Sequence, residues 1–198
     1  MNTQNNTVVK LAETALLAAL CYVSFTFLQI KIPVPGGDAT SIHIGNAFCV
    51  LAALLLGGVY GGLSGAIGMG IADIMDPVYI TGAPKTFVLK FCIGLIVGLV
   101  AKKWKFGIVP AIITGVALSF ICPAIGTPIG IYVYGGLNGS VSDMLVMSLV
   151  QGGKTIFQAS FLRNVASNLI DKIGTCVIGY LLIKAMPMRF LDNFKKEA

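Results

Sequence analysis

Asn164, Asn168 and Asp171 are spaced i, i+4, i+7, which sets two amides and a carboxylate along one face of a helix. Lys90 and Asp73 add an ammonium and a second carboxylate, each inside or at the end of an otherwise apolar run. Amides and isolated charges in such surroundings are expensive and tend to mark function. The chemistry they offer is recognition, in which directional hydrogen bonds hold a polar heterocycle. A structural reading stands beside it: Lys90 with Asp73 or Asp171 forms an ion pair, because a buried charge needs a partner whether or not a ligand is present. Asp38, His43, Asn46, Asp76 and Tyr79 lie in the segments around these runs, with Thr40, Ser41, Lys85, Tyr132, Tyr134 and Asn138. Singly, each suits a solvated loop. Together they make a few directional polar groups with aromatic walls, the usual composition of a small-ligand site.

Metal and cofactor chemistry are not expected. Asp73-x-x-Asp76 offers two carboxylates without further ligands, and Asp76-Pro77 is more simply a helix stop. The chain has one histidine, and its five cysteines, at 21, 49, 92, 122 and 176, form no C-x-x-C pair. They read as buried free thiols, which behave as small hydrophobes.

The elements that must position these residues are membrane helices. Of 198 residues, 56% are hydrophobic and 11% charged, and the mean hydropathy is +0.88. A typical soluble domain carries about 25% charged residues. Apolar runs near the ~20 residues needed to cross the hydrocarbon are expected around 11–31, 45–59, 61–74, 86–101, 107–124 and 163–185. Six such spans form an all-α bundle and a single membrane domain over 1–198, with no room for a soluble catalytic domain. Lys31-Ile32-Pro33 closes the first run without a small-residue cleavage site, so no cleaved leader is expected. Lys10, Lys102, Lys103, Lys105, Lys184, Arg189, Lys195 and Lys196 then share one side, the cytoplasmic one, with both termini. The formal charge of +6 is thereby explained by topology, and nucleic acid is not expected as a partner. The segments 32–44, 75–85 and 125–162 face outward. In the last, Gly126-Thr127-Pro128-Ile129-Gly130 and Gly135-Gly136-Leu137-Asn138-Gly139 are expected to break helix. Ser140–Leu162 is expected to form a lid helix, an interfacial helix or a seventh short span.

Small residues recur at helical spacing. Gly57/Gly61, Gly58/Gly62, Gly61/Gly65 and Gly94/Gly98 are expected to bring helices of this chain close together. Ala12, Ala15 and Ala19 form a stripe on the first span, open to an external partner helix or an internal one.

Several segments, in order, resemble the substrate-binding subunits, or S components, of energy-coupling factor (ECF) vitamin transporters. They are Ser41-Ile42-His43-Ile44-Gly45-Asn46 leading into Leu54-Leu55-Leu56-Gly57-Gly58-Val59-Tyr60-Gly61-Gly62, then Ala72-Asp73-Ile74-Met75-Asp76-Pro77-Val78-Tyr79, and finally Arg163-Asn164-Val165-Ala166-Ser167-Asn168. Ala15-x-x-x-Ala19 looks like the family's docking stripe. The resemblance implies a subunit of a bacterial cell membrane that captures a vitamin or precursor at the outer face. It further implies docking to a transmembrane coupling protein and two cytoplasmic ATPases, and toppling of the subunit in the bilayer to release solute inside. The chain has no G-x-x-x-x-G-K-[ST] loop, so a partner must use the ATP. Members for pyridoxine, hydroxymethylpyrimidine and riboflavin look most similar. Trp104 falls in the basic Lys-Lys-Trp-Lys loop, leaving Tyr79, Tyr132 or Tyr134 to stack, which suits a single ring.

Two rival readings follow from other residues. A stand-alone secondary transporter or channel would show internal repeats or broken midplane helices, and no convincing repeat is present. Gly62-Leu63-Ser64-Gly65 resembles the G-x-S-x segment of rhomboid proteases. A serine nucleophile needs a base within reach, yet the expected topology sets Ser64 near the inner face and His43 near the outer one.

Overall fold

A computed structural model describes residues 3–33, 39–77, 79–136 and 143–187; for residues 3–6, 29–33, 39–43 and 134 only the backbone is described. The elements are α1 (Thr3–Phe27), β1 (Gln29–Pro33), β2 (Ala39–His43), α2 (Ile44–Leu56), α3 (Gly58–Met75), a 3-10 turn (Ile80–Gly82), α4 (Ala83–Lys103), α5 (Ile108–Tyr134), α6 (Asp143–Gln151) and α7 (Ile156–Ala185). Among the described residues, four helical stretches are long and apolar enough to cross a membrane: Thr7–Phe27, Ile80–Lys103, Ile108–Val133 and Ile156–Ala185. α2 is apolar but only 13 residues long.

The expected helical membrane fold stands, and three of its expected details are corrected. The first run does not continue to residue 31. It ends at Phe27, and β1 pairs with β2 as an antiparallel hairpin, Gln29 opposite His43 and Pro33 opposite Ala39. Ile30 and Ile32 alternate with polar neighbours at the period of a strand, a signal submerged in the long apolar run. Second, α5 passes through 126–130 without breaking, with Pro123 and Pro128 inside it, and stops at Gly135, which takes a left-handed φ of 67°. In an apolar medium interruption of a helix leaves more backbone groups unsatisfied than two prolines do, so the helix continues. Third, α7 begins seven residues before the expected 163, at a capping box. Gln158 N donates to Thr155 Oγ1 at 3.2 Å and Thr155 N donates to Gln158 Oε1 at 3.1 Å. The segment left open between 140 and 162 holds α6, packed on α7.

Glycines set the spacing of the bundle. A Cβ on Gly61 would fall 2.3 Å from the Ala53 backbone, one on Gly94 2.4 Å from Gly62, and one on Gly98 2.2 Å from Gly58. α3 therefore lies with its backbone against α2 on one side and α4 on the other, as the small-residue spacing predicts. Gly57 alone joins α2 to α3, with φ 84°. The contacts Gly58–Leu95 and Gly62–Phe91 run antiparallel, as do Gly115–Ile173 and Thr127–Asn164 between α5 and α7. The hairpin, the 76–82 connection, α6 and the first turns of α2, α4 and α7 consequently gather at one end of the bundle. Gly57 and the basic 102–107 connection lie at the other. Cys21, Cys49, Cys122 and Cys176 are buried free thiols in one apolar core with Val50, Met69 and Leu118, and Cys92 is a half-buried free thiol.

Candidate functional site

The first turn of α2, α4 about two turns from its start and the middle of α7 surround a polar cluster inside this apolar bundle. Asn46, in the first turn of α2, is 1% exposed. Its Oδ1 accepts from Lys90 Nζ of α4 at 2.6 Å, and its Nδ2 faces both carboxylate oxygens of Asp171 on α7, at 3.3 and 3.4 Å. Asp171 also pairs with Lys172, and accepts from Thr175 Oγ1 at 3.5 Å. Asp171 and Lys172 are buried, whereas Lys90 is half-buried, its ammonium 5.7 Å from the Phe25 ring centroid. That contact is within cation–π range.

A second cluster lies about two turns further toward the same end of α7. Arg163 donates to Asp143 of α6 at 2.6 Å, both residues being buried. Nε and a terminal nitrogen of Arg163 also face Asn164 Oδ1 at 3.4 and 3.3 Å, while Asn164 Nδ2 donates to Thr127 Oγ1 of α5 at 3.0 Å. Asn168 sits between the clusters. Its Nδ2 donates to the Asn164 carbonyl at 2.8 Å, and the Asn168 carbonyl accepts from Ser119 Oγ at 3.0 Å.

The expected polar face of α7 is thus present but divided. Asn164 is bound into the α5–α6–α7 cluster and Asp171 into the α2–α4–α7 cluster. Lys90 forms a direct ion pair with neither Asp73 nor Asp171 among the described residues, and it reaches Asp171 through the Asn46 amide. Asp73 is buried at the end of α3, where Thr86 hydrogen-bonds it and Lys90 and Lys85 act on it electrostatically. Asp76 is half-buried in the turn after α3, and its carbonyl accepts from Tyr79 N and Ile80 N, each at 3.0 Å. Tyr79 and Tyr132 are 59% and 93% exposed, and a ring beside Lys90 is that of Phe25. Asp38 and Asn138 lie outside the described residues, as do the side chains of His43 and Tyr134.

Lys172, Thr175, Phe25, Thr127 and Asp143 were not singled out from the sequence. Lys172 had a signal, a charge next to Asp171 in an apolar run. Phe25 and Thr127 had none, since nothing local distinguishes a wall residue from a lipid-facing one. Ser64 is no nucleophile poised beside a base. Its hydroxyl donates to the carbonyls of Tyr60 and Thr14, at 3.0 and 3.1 Å. On α1, Ala12, Ala15 and Ala19 are exposed, while Ala18 is buried against Gly68.

Comparison with known proteins adds two matches. The sequence pattern of the family described as "ECF-type riboflavin transporter, S component" matches residues 5–187. An uncharacterised protein of Pyrococcus woesei, named for its place in the gap 3' region, is 30% identical over 122 residues, 61% of this chain and 78% of the relative. No solved structure matches.

Proposed function

Since the chain belongs to the family of S components of ECF-type riboflavin transporters, we propose that it captures a water-soluble vitamin or precursor in the α2–α4–α7 cluster for ATP-driven uptake. Proteins of this family are transport subunits and not enzymes. In this reading α1–α5 and α7 supply six crossings within one membrane domain. The 102–107 connection, with Lys102, Lys103 and Lys105, is cytoplasmic, as are both termini. The hairpin, α6 and the polar clusters then face outward. One observation carries the binding assignment: two lysines, an aspartate and an asparagine converge from three helices within an apolar bundle, where charges are retained for a function. Asp73, Asn168 and the segment bearing Asp38 and His43 complete the candidate binding set, with Asp76 and Tyr79 at its rim.

The Phe25 ring beside Lys90 favours a one-ring solute of the pyridoxine or hydroxymethylpyrimidine kind over a large fused one, and riboflavin is the alternative. The coupling protein docks against Ala12, Ala15 and Ala19, and two cytoplasmic ATPases complete the transporter. Titration calorimetry of the purified protein in detergent against pyridoxine, hydroxymethylpyrimidine and riboflavin tests capture. Saturable binding of one of them is expected, and no binding of any would overturn the assignment. Uptake in a host without the coupling module tests the energy source. Concentrative uptake by the chain alone would replace this reading with a secondary transporter.

A further inference from the structure

The hydrogen-bonding capacity left over in the α2–α4–α7 cluster is one-sided. An ammonium has three donors and no acceptor, and an amide has an acceptor oxygen and a donor nitrogen. Asn46 uses both ends, with Oδ1 accepting from Lys90 and Nδ2 facing Asp171. Asp171 already receives Asn46, Lys172 and Thr175. The Lys90 ammonium has one acceptor among the described residues, the uncharged Asn46 Oδ1, and Lys172 has one, Asp171. Among the described residues, two ammonium groups thus meet one carboxylate, Lys172 directly and Lys90 through Asn46, and each has a single hydrogen-bond acceptor for its three donors. Lys172 and Asp171 are the charged groups that act most strongly on Lys90. Among the described residues, Asp143 is paired with Arg163, and Asp73 is hydrogen-bonded by Thr86 while Lys90 and Lys85 act on it from a distance. Lys90 as a residue is half-buried, at the meeting of α2, α4 and α7. A cation in such a place is stabilised when an anion with good geometry joins it.

We propose that the solute enters with an oxyanion, a carboxylate or a phosphate, that docks on the Lys90 ammonium with Lys172 behind it. The inference rests on the capture reading above and narrows it to the ionised members of the vitamin and precursor class. Lys90 is then the residue that sets specificity for charge, and Asn46 holds it in place by tying it to Asp171.

Matched pairs differing in one ionised group test this: pyridoxine against 4-pyridoxate, hydroxymethylpyrimidine against its monophosphate, and riboflavin against riboflavin 5'-phosphate. Each is titrated into wild type, Lys90→Met, Lys90→Gln and Lys90→Arg, with thermal melting recorded for all. In the pair that binds, wild type is expected to prefer the ionised member by about tenfold or more, as a charge-assisted hydrogen bond in a dry site provides. Lys90→Met and Lys90→Gln are expected to erase the preference while the neutral member still binds, and Lys90→Arg to keep it. The carboxylate and phosphate pairs separately report which oxyanion is taken. Equal or tighter binding of the neutral member by wild type overturns the proposal but leaves the capture reading intact, as does a preference that survives in Lys90→Met. The wild-type comparison decides even if a variant fails to fold. Binding of no member of any pair overturns the capture reading and this proposal together.

Discussion

At the scale of single residues, the chemistry divides into groups that hold the protein together and groups left open. Arg163 belongs to the first kind. It bridges Asp143 on α6 to Asn164 on α7, and through Asn164 reaches Thr127 on α5. Removing one partner of a buried ion pair strands the other charge, at about 3–5 kcal/mol, whereas replacing both with apolar residues of similar volume is often neutral. Asp143→Leu is therefore expected to lower the melting temperature sharply, and Asp143→Leu with Arg163→Met to recover most of the loss. Thermal unfolding in detergent around this double-mutant cycle checks it. Asn164→Ala leaves the Thr127 hydroxyl and part of Arg163 unpaired and is expected to destabilise by about 1–3 kcal/mol. Solute affinity should move less in Asn164→Ala than in Lys90→Met, compared by the same calorimetry. The types of these residues were legible in the sequence, because a lysine or aspartate inside an apolar run stands out. Their partners were not. Asn46 and Asp171 are 125 positions apart, and only packing of α2 on α7 brings the amide between Lys90 and Asp171.

At the scale of elements, the glycines decide how closely the helices approach. A methyl group on Gly94 would sit 2.4 Å from the Gly62 backbone, which cannot give way as a side chain can. On Gly70 of the same α3–α4 pair, a methyl group would meet only the Phe87 ring, at 3.5 Å. Gly94→Ala is expected to force the helices apart and destabilise by about 1–3 kcal/mol. Gly70→Ala is expected to be neutral or slightly stabilising, since alanine is the better helix former by about 1 kcal/mol. Melting temperatures of the two variants side by side decide this, and equal losses would refute the packing argument. The helices themselves were largely readable, and the errors share a cause. Hydropathy dominates in a membrane chain, so local signals were underweighted: the alternation of Ile30 and Ile32 in β1, and the Thr155–Gln158 box opening α7. Around Pro128 the bias ran the other way. A rule suited to helices in water was applied to a segment whose apolar surroundings keep α5 continuous.

At the scale of the whole molecule, one end carries the polar clusters, the other carries the basic connection, and the flank of α1 presents Ala12, Ala15 and Ala19 to the outside. If solute capture and partner docking use these separate surfaces, as proposed above, the two functions are separable by mutation. Ala15→Leu and Ala19→Leu add bulk at exposed positions of α1, so folding and solute binding are expected to persist. Co-purification with the coupling module and transport are expected to drop. Pull-down and uptake in parallel check this, and two bulky variants that assemble and transport normally would refute the docking assignment. The short α2 has a consequence for how the chain is made. Its 13 residues reach about 20 Å, less than the ~30 Å of hydrocarbon, and most of them are buried by other helices. When a nascent chain has emerged only as far as Leu56, α1 is long enough to remain in the bilayer but α2 by itself is not. Because Gly57 alone links α2 to α3, the two must leave the insertion machinery as one hairpin, and α2 waits for its successor before it can be held in the membrane.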